Sequence, residues 1–108
     1  MGLFVAPIME GKLDAWKSWA AAFKGPKKEE FEDLNHRYGI TRHEAWLVET
    51  PDGPLAVVLH EGPGADTFIE KMLHSENSVD KAFAKSVAEF HGMDPDTPPP
   101  GPPPTRVL

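Results

Sequence analysis

The chain predicts an α+β fold, one antiparallel sheet with helices on a single face, and three observations carry that reading. An apolar, strand-compatible stretch at 3–9 precedes two segments of helical period, the stretch RHEAWLVETPDGPLAVVLHE at 42–61 reads as a β-hairpin, and two further helical segments follow it. With a short strand at 105–108 the order becomes βαββαβ, each crossover split into two helices. Right-handed crossovers then place both helix pairs on the same face of a four-stranded sheet.

The first strand, LFVAPIM, ends at Glu10-Gly11. From Leu13 the period becomes helical: Leu13, Trp16, Ala20 and Phe23 recur on one stripe with Trp19 beside them, and Lys24-Gly25 closes the segment. Trp16 and Trp19 are assigned to the core. Pro26 suits the first turn of a second helix, whose Glu29 and Glu30 favour the positive end of its dipole. Phe31, Leu34 and Tyr38 form its buried stripe and Gly39 ends it. Lys27 to Glu30 are a solvated helix start.

In the hairpin, Pro51 and Pro54 cannot donate to a ladder, so 51–54 is the expected loop and Thr50 is paired with Leu55. Val48 then faces Val57, Trp46 faces Leu59, Leu47 faces Val58 and Ala45 faces His60. Residues two apart share a face. Trp46, Val48, Leu55, Val57 and Leu59 make an apolar face, expected to pack on the helices. His43, Ala45, Leu47, Glu49, Ala56, Val58 and His60 make a mixed face, expected to meet a second copy of the chain. Gly62-Pro63-Gly64 breaks the strand. Phe68, Ile69, Met72 and Leu73 mark a third helix from about Asp66. Ser78 is the expected N-cap of a fourth, with the stripe Val79, Ala82, Phe83, Ser86, Val87, Phe90 and a C-cap at Gly92.

The chain divides into an α+β domain at 1–94 and a Pro-rich extended arm at 95–108. Its tail PPPGPPPTR has Gly101 where a P-x-x-P-x-Arg ligand needs proline, so the arm is expected to deliver TRVL to a sheet edge instead. With 11 basic and 17 acidic residues the net charge is −6 and no basic cluster appears, which argues against a nucleic-acid partner. The absence of cysteine excludes disulfides, thiolate metal sites and a thiol nucleophile, and suits a cytoplasmic location. LFVAPIM is too short to span a bilayer and lacks a signal peptide's basic start, and Ala6 breaks the myristoylation pattern. No membrane partner is expected.

Two His-Glu dipeptides, at 43–44 and 60–61, invite an acid/base or metal reading. On strands each His and its adjacent Glu project to opposite faces, so neither is a working pair. HEAWL has Leu47 where a zinc-protease helix needs its second His. What remains is a cross-strand grouping of His43 and His60, with Glu49 farther along the same face. These three are the candidate ligand-binding residues. His36, His74 and His91 belong to helices or helix ends, which leaves no third convergent metal ligand; His91 is assigned to capping the fourth helix. No cofactor motif is present.

The stretch YGITRHEAWLVETPDGPLAVVLHE, with HGMD at 91–94 and the PGPPP tail, resembles a small bacterial family of uncharacterised proteins within the dimeric α/β-barrel superfamily. The resemblance implies a ferredoxin-like protomer whose sheet pairs with that of a second copy to close a barrel around a cavity. The superfamily includes quinone-forming monooxygenases, haem-degrading enzymes and members without known activity, so it implies no reaction and no catalytic residue. The expectation is a homodimer that binds a small organic molecule in the cavity, with any chemistry on it left open. The alternatives are a non-catalytic dimer whose cavity is plugged by its own side chains, and a monooxygenase-like or haem-handling enzyme.

Overall fold

A computed structural model describes residues 2–92, 104, 105, 107 and 108. Strands β1 (Gly2–Pro7), β2 (Arg42–Thr50) and β3 (Gly53–Glu61) form one antiparallel sheet in the order β1-β3-β2. Helices α1 (Leu13–Ala22) and α2 (Lys28–Arg37) link β1 to β2. A 3₁₀ turn at Ala65–Thr67 leads into α3 (Phe68–Leu73), and α4 (Ser78–His91) follows. Among the described residues the expected fourth strand does not appear: Thr105, Val107 and Leu108 are exposed and belong to no strand. Arg106 and the arm at 95–103 lie outside the described residues, as does Met93. Among the described residues no helix is long and apolar enough to cross a membrane.

The hairpin is tighter than its prolines suggest. Thr50 pairs with Gly53, so the loop is Pro51-Asp52 alone and Pro54 sits within β3 opposite Glu49. Proline and aspartate suit the two central positions of a turn. The Thr50 hydroxyl reinforces it, donating to the Gly53 carbonyl at 2.8 Å and accepting from the Asp52 N–H at 3.2 Å. The shorter loop moves the register by two residues from expectation. Val48 meets Leu55, Leu47 meets Ala56, Trp46 meets Val57, Ala45 meets Val58 and His43 meets His60. A shift of two preserves which residues share a face.

The sides of the sheet are the reverse of those expected. The helices pack on the mixed face, through a core of Leu34, Ile40, Phe68, Met72 and Val87 and a second cluster of Ile8, Trp16, Ala56 and Phe90. The other face is uncovered at Trp46 and Val48 of β2 and Leu3 and Val5 of β1, with Trp46 47% exposed, while on the central strand Leu55 and Val57 are half-buried and Leu59 is buried. Bulk explains the choice. The helices bring the large rings, Trp16, Trp19, Phe23, Phe31, Phe68, Phe83 and Phe90, and these need small sheet residues beneath them. Ala6 and Ala56 supply such positions and are buried at 1% and 0% exposure. Close packing rewards that large-on-small fit over a meeting of two bulky surfaces.

Polar contacts then lock the helices in place. Asp80, in the first turn of α4, is wholly buried. Its carboxylate accepts from two Arg37 nitrogens at 2.7 and 3.0 Å, from the Tyr38 hydroxyl at 2.6 Å and from the Ser75 hydroxyl at 2.7 Å. Donation from Arg37 is the largest cause holding its pKa down at about 2. This cluster fixes the end of α2 against α4. The α4 N-cap is Asn77, one residue before the expected Ser78, and its side chain accepts from the Val79 and Asp80 N–H groups. Gly92 ends the helix in the left-handed conformation, as its sequence position predicts. Pro26 lies ahead of α2, which begins at Lys28, and not in its first turn.

Candidate functional site

Between the helices and the histidine-bearing face of the sheet lies a cavity of about 730 Å³. Its roof is aromatic, built from Trp16, Trp19 and Phe23 of α1 and its end, Phe31 of α2 and Phe83 of α4. His43, Val58 and His60 form its floor. Exposed Lys17 of α1, Lys24 just after it and Glu44 of the edge strand β2 border it. Trp16 and Trp19 are therefore core residues, as expected, and cavity walls as well.

The cross-strand histidine grouping exists, and the observed register makes it closer than expected by setting His43 directly opposite His60. Their Nε2 atoms are 3.1 Å apart and the rings meet edge to face, with Phe68 against both. Phe31 lies over His43 at 4.8 Å between ring centroids. Burial drives both rings to the neutral form. It pulls the His43 pKa down to about 3, assisted by the neighbouring His60, and the His60 pKa down to about 4.

Asn35 of α2 completes the arrangement, its Oδ1 lying 2.8 Å from His43 Nδ1. The protons follow from that contact. Oδ1 only accepts, so His43 Nδ1 carries hydrogen; a neutral ring then leaves Nε2 with a lone pair. His60 Nε2–H donates to it, and His60 Nδ1 is left bare. Among the described residues nothing hydrogen-bonds that atom. It also meets open space, since no fully buried side-chain nitrogen or oxygen among them lacks a partner.

His91 takes the same form. Its Nδ1–H donates to the Pro7 carbonyl at 2.9 Å, tying α4 to the end of β1, and burial lowers its pKa. The neutral ring's Nε2 keeps its lone pair and His91 borders the cavity. Its expected part as a charged cap of α4 is not what it does. Glu49 stands apart from these groups: it is exposed beside the hairpin turn, opposite Pro54, and outside the cavity lining. The histidines also do not face a space between two sheets, because their side of the sheet is the one the helices occupy. No group of three or more His, Asp or Glu side chains among the described residues is placed to hold a metal ion.

Asn35 and His91 are absent from the sequence-derived candidates. Asn35 had a usable signal, since it stands four residues after Phe31 and so shares the buried stripe of α2. His91 had none, because its partner is a carbonyl 84 positions away. No protein-family model matches the chain, and no curated protein is significantly similar to it in sequence.

Proposed function

We propose that this protein binds a small, largely apolar organic molecule in the cavity between its helices and its sheet, without a permanent cofactor. The observation that carries the reading is the cavity itself: about 730 Å³, aromatic above, with histidine side chains below. Ligand sites typically span about 300–1,000 Å³ and combine apolar walls with a few convergent polar atoms. His60 and His43 are the residues assigned to its polar end, with Asn35 orienting His43.

The strand order and the one-sided helices support kinship with ferredoxin-like protomers, and the bare apolar face of the sheet supports pairing with a second copy of the chain. A contiguous apolar surface of that kind marks an interaction site. In such a dimer each protomer keeps its own ligand space and the histidines stay out of the interface. A reducing, cytoplasmic setting suits the cysteine-free chain.

Calorimetric titration with naphthalene tests the binding reading, using the unaltered chain and Val58→Trp, which fills the cavity floor. The unaltered chain is expected to bind and the filled variant, folded by circular dichroism, to bind at least about tenfold more weakly. Absence of binding to the unaltered chain, or equal binding to both, rejects the cavity as a ligand site.

A further inference from the structure

We infer that the cavity takes a neutral aromatic molecule bearing a hydroxyl group, of the phenol or naphthol class, whose O–H donates to Nδ1 of His60. The inference rests on the binding reading above and assigns it a ligand chemistry.

The argument starts from Asn35, which can only accept at Oδ1 and so fixes every proton along the chain to His60. That chain ends in a lone pair on a residue only 3% exposed. An acceptor with no protein donor, reached only through a confined space, gains its hydrogen bond from a ligand O–H that enters that space.

The other lining groups narrow the class further. The charged residues bordering the cavity, Lys17, Lys24 and Glu44, are all exposed, and the buried groups are neutral. A carboxylate turned toward the histidines would lose its water for imidazole lone pairs, with the two bordering lysines at the exposed rim and no cation among the buried groups. A hydroxyl donates without carrying charge, so it suits an imidazole lone pair. The aromatic roof favours a flat ring frame over an aliphatic one, since rings gain offset or edge-to-face contacts beyond simple burial.

The test compares β-naphthol, naphthalene and β-naphthoate at neutral pH by calorimetry, first on the unaltered chain and then on His60→Phe. A purely apolar cavity favours naphthalene, which loses least on leaving water. An acceptor reverses that order. On the unaltered chain the naphthol is expected to bind about five- to tenfold more tightly than naphthalene, and the naphthoate at least about a hundredfold more weakly than the naphthol. In His60→Phe the naphthol preference is expected to vanish while naphthalene still binds. If naphthalene or naphthoate equals the naphthol on the unaltered chain, the hydroxyl assignment fails although the cavity binds ligands. If none of the three binds, the cavity reading itself fails. The ratio measured on the unaltered chain decides the matter even where His60→Phe does not fold.

Discussion

His43 and His60 form a neutral pair, and acid is what their surroundings resist. In the unfolded chain each titrates near its ordinary value of 6.5; in the folded chain burial holds them at about 3 and about 4. Their neutral forms therefore support folding fully above about pH 6.5, and that support drains away as pH falls through 6.5 toward the folded values, because the unfolded chain binds the protons first. His91 acts in the same direction. Asp80 behaves differently: its carboxylate, held at about 2 against an ordinary 3.8, supports folding above 3.8 and loses that support only as pH falls through about 2. Urea unfolding at about pH 7.5 and about pH 5 thus isolates the histidines. The unaltered chain is expected to lose stability between those values and His43→Leu/His60→Leu to lose distinctly less. Equal losses would remove the burial argument. Residue type and strand parity made His43 and His60 legible in the sequence. Asn35 was passed over although it shares the buried stripe of α2 with Phe31; His91 and Asp80 were not found, since their roles depend on partners that only the fold brings near.

At the scale of elements, α2 must sit at one height above β2 for Asn35 to reach His43, and glycines set that height. The backbone of Thr41 donates to the Glu61 carbonyl at 2.7 Å, and Gly64 donates to the Gly39 carbonyl at 3.1 Å, pressing the turn after α2 against the turn after β3. Gly62, at a φ of 125°, lies so close that a Cβ there would run into the Gly39 carbonyl and the Thr41 nitrogen. Gly62→Ala is expected to destabilise the fold by about 2 kcal/mol or more, from both the left-handed strain and the collision. Urea unfolding measures it; a loss below about 0.5 kcal/mol would mean that the two turns separate freely. Hydrophobic period made the helices and strands legible to within a few residues. The hairpin register was misplaced because Pro54 was read as loop, whereas β3 takes it in opposite Glu49.

For the whole molecule, the decisive property is which side of the sheet stays bare. Alternation along a strand tells which residues travel together and is silent on which group the helices cover. Reading the more apolar face as the inner one failed here because the helices carry the bulk and the small residues Ala6 and Ala56 lie opposite them. The uncovered Leu3, Val5, Trp46 and Val48 then form the assigned surface for a second copy. Sedimentation of the unaltered chain is expected to give a dimer, and Val5→Lys/Val48→Lys, which places charge on both outer strands, a monomer of near-normal melting temperature. A monomeric unaltered chain would leave the apolar face to some other partner.

The three tryptophans of this chain stand in two places: Trp16 and Trp19 of α1 line the cavity, and Trp46 of β2 stands on the bare face of the sheet. Indole emission shifts in colour and brightness with the water around the ring, so a Trp46→Phe chain leaves only the two indoles of the cavity wall to glow. The ultraviolet glow of that variant is therefore an optical gauge of whether the chamber is wet or filled, readable in solution without a dye.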